Sequence, residues 1–170
     1  LLLIPLGAVA LGGLAVVAPY RLARLTTFLN PNLDPLGASY HVRQILIALG
    51  SGGWFGVGLG KSRQKYEYLP EANTDSIFAI IAEEVGFIGC ILLIALFIFI
   101  CVRAFRIARH APDRFGKLLG SGIASWFGIQ VIINLAAMVS LVPLTGVPLP
   151  LVSYGRSNLL AILIGFGILL

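Results

Sequence analysis

Asp75 is a carboxylate whose position suggests a task. It lies in the stretch Tyr68-Leu69-Pro70-Glu71-Ala72-Asn73-Thr74-Asp75-Ser76-Ile77-Phe78-Ala79, just ahead of a membrane-length apolar run. Asn73 or Thr74 is suited to cap a helix by accepting from its free N–H groups. Ile77, Phe78, Ile80 and Ile81 then supply an apolar face, which puts Asp75 in the first helical turn. Glu83 and Glu84 follow two turns later, at the edge of the apolar run, where an acid is costly unless paired or turned to a polar cavity. Spacing by four places Asp75, Ala79 and Glu83 on one stripe. Two acids and a small residue facing a cavity lined by Arg and Lys suit either a general base or a cation site. Purely structural accounts compete with both. A first-turn acid gains a few tenths to about 1 kcal/mol from the helix dipole, and pairing of Arg43 or Arg63 with Glu83 or Glu84 would serve architecture alone.

The elements that must hold these groups are membrane spans. Hydrophobic residues make up 58% of the 170 and charged residues 11%, with a mean hydropathy of +0.97, against about a quarter charged in soluble domains. A spanning helix needs roughly 20 apolar residues. Uncharged runs of that order occupy residues 1–20, Val85 to Val102, Leu118 to Gly155 (one span, 118–141, plus an uncharged connection, 142–157) and 158–170. The expected fold is therefore all-α, a polytopic membrane helix bundle of about four transmembrane segments, with residues 21–84 as a long, partly helical outer loop. The chain begins inside the first run and stops inside the fourth, so it is expected to be a piece of a larger protein. Residues 1–20 lack the basic n-region of a signal peptide.

Orientation follows from the short connection 103–117, where Arg103, Arg106, Arg109, Arg114 and Lys117 face the single acid Asp113. Short basic loops stay in the cytoplasm, which sends the Asp75 segment outward. The outer region carries Arg21, Arg24, Arg43, Lys61, Arg63 and Lys65, but long loops translocate with little regard to charge.

Within that region Tyr40 to Leu49 has apolar residues at helical spacing. Ser51 to Gly60 follows as an apolar, glycine-punctuated turn expected to dip into the interface. Irregular backbone at membrane depth must be buried in protein or line a wet cavity. Gly60-Lys61-Ser62 is not a P-loop, because that pattern needs glycine where this chain has Phe55. Close packing of helices by small residues explains any single glycine here equally well. Cys90 and Cys101, about 16 Å apart along one helix, are beyond disulfide reach. His41 and His110 have no metal-cluster spacing. Gln130 and Asn134, one turn apart in an apolar span, are expected to hydrogen-bond to neighbouring helices. The net charge of +5 has its source in the basic connection and the outer interface, so nucleic-acid binding is not supported.

The run RLTTFLNPNLDPLGASYHVRQILIALGSGGWFGVGLGKSRQKYEYLPEANTDSIFAIIAEEVGFIG, Arg24 to Gly89, resembles the SEDS family of bacterial membrane glycosyltransferases, which comprises FtsW, RodA and SpoVE. Pro143 to Gly155, PLTGVPLPLVSYG, resembles that family's second signature. Together they cover about half the chain, in the right order and separated by two spans. GLGKSRQKYEYLPEANTDSIFA looks closer to the FtsW branch than to the RodA branch. The resemblance implies the carboxy-terminal half of an enzyme that polymerises lipid II into glycan strands during cell division, at the outer face of the cytoplasmic membrane. It maps the family's essential carboxylate onto Asp75. It also implies a class B penicillin-binding protein, the crosslinking transpeptidase, and other division proteins as partners.

A sugar hydroxyl attacking an anomeric carbon must lose its proton, which a carboxylate in hydrogen-bond reach accepts. The pyrophosphate leaving group needs its charge neutralised by Arg, Lys or a divalent cation, Mg2+ or Mn2+, for which Asp75 is also a candidate ligand. Lys61 and Arg63, nearest in sequence to the acid, lead the substrate-binding candidates, with Arg43, Glu83, Glu84, Ser153 and Arg156 beside them. Arg156 departs from the family's usual S-Y-G-G-S-S, since this chain reads Ser153-Tyr154-Gly155-Arg156-Ser157-Asn158. Glycine there would permit a positive backbone angle or a close approach. Arginine either meets the lipid pyrophosphate, marks altered or lost activity, or snorkels to the interface. Two other readings stay open: a lipid II flippase, for which broken helices and midplane charges are expected, and a catalytically silent division scaffold.

Overall fold

The computed structural model describes residues 28, 38–62 and 75–169. Its elements are α1 (Ala38–Ser51), α2 (Ile77–His110), α3 (Arg114–Met138) and α4 (Arg156–Leu169), with no strand among the described residues. The expected first span, residues 1–20, and Arg63 lie outside them.

The part of α2 beyond its interruption at Gly86, residues 87–110, is about 36 Å long, more than the roughly 30 Å hydrocarbon core. The uncharged stretch of α2, from Val85 to Val102 between Glu84 and Arg103, is about 27 Å long at the usual rise. Both α2 and α3 are long and apolar enough to cross a membrane. Leu92, Ile98, Phe99, Ile132 and Leu160 point outward and are exposed, the reverse of a soluble core and the arrangement lipid demands.

Several expected boundaries shift. Residues 103–117 are not a loop: α2 runs on to His110 and α3 starts at Arg114, leaving three residues between. Helix persists there because Ala104 and Ala108 still pack inward while the arginines face out, and Arg is a good helix former. Asp113 caps α3 by accepting from Gly116 N at 2.9 Å. α3 ends at Met138 rather than 141, and α4 begins at Arg156 rather than 158. Residues 142–155 are irregular, as expected of a connection between the two helices, and Leu149, Pro150 and Ser153 are buried within it.

α2 packs along α3 through small residues. Gly120, Ala124 and Gly128, spaced by four on α3, face Cys101, Ala104 and Ala108 on α2, and Cys101 Sγ lies 3.8 Å from the Ala124 carbonyl. This is the close approach that small residues permit between membrane helices. Phe97 of α2, Phe127 of α3 and Phe166 of α4 stack below it, with centroids 6.1 and 5.2 Å apart. A Cβ on Gly120 would lie 2.8 Å from that of Ala108, whereas one on Gly122 meets nothing within 4 Å. Gly120→Ala is therefore expected to lower the unfolding temperature in detergent or lipid. Gly122→Ala should leave it unchanged or raise it, by up to about 1 kcal/mol of helix propensity.

Inside α2 the helix is interrupted at Gly86 (φ 76, ψ −171). The freed backbone groups are taken up by the turn after α1: Val57 N and Gly58 N donate to the carbonyls of Glu83 and Glu84, while Phe87 N and Ile88 N donate to those of Gly53 and Trp54, all at 2.9–3.3 Å. Gly56, with φ 77, is pressed so closely against this break that a Cβ on it would overlap the Glu84 carbonyl. The glycine-punctuated turn thus has a definite task, replacing the helical bonds that Gly86 forfeits. Trp54 packs edge-on against Phe87 at 5.4 Å, yet Trp54 and Phe55 remain 68% and 83% exposed, so the turn presents aromatic side chains outward.

Candidate active site at the broken end of α2

The short helical segment 77–85 ahead of the break positions the acids. Asp75 precedes it and does not sit in its first turn: the N-cap position is Ser76, with no side-chain capping bond of its own. Asn73 and Thr74, expected as caps, lie outside the described residues. Asp75 is nonetheless buried, 8% exposed, and the stripe it shares with Ala79 and Glu83 is buried throughout. Ser76 is fully buried, and its Oγ lies 3.1 Å from His41 Nε2 on α1.

Glu83, 3% exposed, accepts a hydrogen bond from Ser62 Oγ at 2.5 Å. Glu84 is half-buried, and its Oε1 is a buried atom with no hydrogen-bond partner. The Glu83–Ser62 contact ties the segment bearing Lys61 to the helix bearing the acids. Lys61 itself is exposed, as is Arg43 on α1. Among the described residues no group of three His, Cys, Asp or Glu converges as a metal site.

The second signature reaches this place through α3. Asn134 Nδ2 donates to the Asp75 carbonyl at 3.0 Å and to the Val147 carbonyl at 2.7 Å. One turn earlier, Gln130 Nε2 donates to the Pro148 carbonyl at 3.2 Å and to Asn158 Oδ1 of α4 at 2.7 Å. The expectation that Gln130 and Asn134 join neighbouring helices holds for Gln130, through Asn158 of α4; the partners of Asn134 are irregular backbone, which needs donors when buried. Leu151, held at φ 63, turns the chain so that Ser153 N meets the Leu149 carbonyl at 3.0 Å. A bulky residue in that region is uncommon and marks a constrained segment.

Arg156 is exposed, its guanidinium 5.6 Å from the Tyr154 ring centre and 3.2 Å from the Tyr154 hydroxyl. It has no positive φ, so arginine carries no backbone strain where the usual glycine would stand. The structure thus buries Asp75 and Glu83 on one stripe and links the Asp75 main chain, by way of Asn134, to Val147 in the signature loop that also carries Ser153. Arg43, Lys61 and Arg156 are at the surface, and Arg63 is outside the described residues. His41, Ser62 and Ser76 were not singled out from sequence. Lone polar residues without spacing partners give no signal until the fold pairs them.

An all-helical bundle with an outward apolar surface, a broken helix and buried acids at its end defines a polytopic membrane protein. The whole chain, residues 1–170, matches the model of the FtsW/RodA/SpoVE cell cycle proteins, and it belongs to that SEDS family. It is 51% identical over 158 residues to the stage V sporulation protein E of Bacillus subtilis, covering 93% of this chain and 43% of that protein. It is 48% identical over 157 residues to the probable peptidoglycan glycosyltransferase FtsW of Trichlorobacter lovleyi, covering 92% and 41%. The chain thus spans less than half the length of these relatives. A chain from a structure on the coordination of polymerization and crosslinking by a peptidoglycan synthase complex superposes with a TM-score of 0.69 at 33% identity, over 99% of this chain and 47% of the other. An Asp-to-Ala mutant of the rod shape determining protein RodA of Thermus thermophilus superposes with a TM-score of 0.59 at 28% identity, over 87% and 52%.

Proposed function

We propose that the full-length protein polymerises lipid II into glycan strands for the dividing cell wall, with Asp75 as general base. The observation that carries this reading is the buried Asp75 at the start of a short helical segment, its main chain joined through Asn134 to the second signature loop. Asp75 takes the proton of an acceptor sugar hydroxyl as that oxygen bonds to the donor's anomeric carbon. The bond from that carbon to the lipid pyrophosphate breaks, and the pyrophosphate leaves with the bonding pair. Lys61, Arg43 and Arg63, which precede α2 in the sequence, are the candidates to meet its charge. The names of the relatives support the activity. The FtsW resemblance supports the division role, and the synthase-complex neighbour supports a class B penicillin-binding protein as partner.

The arginines at the α2–α3 junction lie at the opposite end of α2 from Asp75. With basic residues kept inside, this arrangement supports the reading that the acids face the outer side of the cytoplasmic membrane. A flippase is the second reading, and the break in α2 favours it, because transporters use discontinuous helices. Transporter breaks sit at the midplane with backbone turned to the cargo. Here the break adjoins Glu84 at one end of the uncharged stretch, and its backbone groups are bonded to residues 53–58.

The experiment is polymerisation of labelled lipid II by the full-length protein with its transpeptidase partner, run beside a vesicle assay of lipid II translocation. Glycan strands without translocation uphold the enzyme; translocation without strands replaces it with the flippase, and neither leaves a scaffold. In the same assay Arg156→Gly is expected to change the polymerisation rate by less than about threefold, since the exposed arginine stacks on Tyr154 and exposed substitutions are usually mild. A large gain would mean that arginine holds the protein inactive.

A further inference from the structure

We propose that Asn134 is a positioning residue for the Asp75 carboxylate, holding the main chain that carries it against the second signature loop. The proposal rests on Asp75 being the reacting carboxylate.

Asn134 belongs to neither signature and stands near the C-terminal end of α3, 1% exposed. A primary amide has two N–H donors, and Nδ2 uses both, one on the Asp75 carbonyl and one on the Val147 carbonyl. That double attachment fixes which way round the amide lies. Its other end, Oδ1, is buried with no hydrogen-bond partner. An unpartnered buried acceptor costs on the order of 1–3 kcal/mol, so this side chain is not arranged for the best helix-to-helix contact. What it secures is the two carbonyls.

The Asp75 carbonyl needs such a hold. The first main-chain bond of α2 runs from Ala79 N to the Ser76 carbonyl at 3.0 Å, so the peptide between Asp75 and Ser76 lies ahead of the helical ladder. Because that peptide is planar, pinning its oxygen fixes the plane from which the Asp75 side chain springs. His41 holds the following residue, through the Ser76 side chain, at 3.1 Å from its Oγ. Gln130, one turn from Asn134, holds the next loop carbonyl, that of Pro148, so the loop used as an anchor is itself anchored. A reacting group displaced by about 1 Å loses on the order of a hundredfold in rate.

The test uses the full-length protein with its transpeptidase partner and lipid II, reading turnover and half-saturation separately, with thermal unfolding as the check on folding. Asn134→Asp keeps the shape but loses the paired N–H donors, Asn134→Ala removes the side chain, and Asp75→Asn runs alongside. The expected result is a turnover roughly a hundredfold lower in both Asn134 variants, with half-saturation within about threefold of wild type. Turnover near wild type, or a loss confined to half-saturation, overturns the proposal. So does failure of both variants to fold, which would assign Asn134 to architecture. If Asp75→Asn is inactive while the Asn134 variants work normally, the positioning role alone falls. If Asp75→Asn polymerises like wild type, the general-base assignment falls and takes the positioning role with it.

Discussion

Asp75→Asn in the full-length protein is expected to abolish strand formation from lipid II while leaving the protein folded. The amide matches the carboxylate in shape, so the buried packing beside Ser76 and Ala79 is kept, and the Asn134 bond to the main-chain carbonyl does not involve the altered side chain. What is lost is the ability to take a proton from the attacking hydroxyl, an effect of about 10²–10⁴-fold when a general base is removed. Glu83→Gln is the informative control. Glu83 is the more deeply buried acid, and an amide oxygen there still accepts from Ser62, so turnover should fall by less than about tenfold, far short of a lost general base. Strand synthesis measured on both variants, with unfolding temperatures for each, separates the two acids. If Glu83→Gln is the dead variant and Asp75→Asn the active one, the base has been placed on the wrong acid.

Much of this arrangement is legible in the residues because hydrophobicity and charge act locally. Glu84 and Arg103 bracket an uncharged run of membrane length, and that run is the body of α2. The same reasoning misplaces the ends: Arg103, Arg106 and Arg109 read as a loop by hydropathy, although alanines at helical spacing keep that turn packed on α3. Gly120, Ala124 and Gly128 are a small-residue stripe visible by eye, and the seam they form follows directly. The site is less legible because its contacts are long-range. Asn134 meets Asp75 across 59 positions and Ser62 meets Glu83 across 21; nothing in either local sequence names the other. Asp75 stands out as an acid ahead of an apolar run, and the family motif points to it. The amide that holds its backbone is, in sequence, merely a polar residue in a span.

Gly86 is the residue whose replacement should do the greatest structural damage. Its φ of 76 with ψ of −171 falls in a region essentially reserved for glycine, and any side chain there costs on the order of 1–3 kcal/mol in backbone strain. A Cβ would also lie 2.3 Å from Gly56 N and 2.7 Å from the Phe55 carbonyl carbon. These are main-chain atoms with no rotamer to yield, so the turn must move away. Moving it gives up the bonds from Val57, Gly58, Phe87 and Ile88, each worth about 0.5–1.5 kcal/mol net. The sum, roughly 3–9 kcal/mol, is comparable to the whole stability of a typical domain, about 5–15 kcal/mol. Gly86→Ala is thus expected to accumulate little folded protein, or to unfold at a much lower temperature than wild type, while Gly122→Ala behaves normally. If Gly86→Ala instead folds with wild-type stability, α2 runs straight in that variant without the turn. Straightening it would swing segment 77–85 on its axis and carry Asp75 away from Asn134. A stable Gly86→Ala protein should therefore be a poor polymerase even with every acid in place, so folding and turnover measured together show whether the break serves only to fit the chain or also to aim the carboxylate.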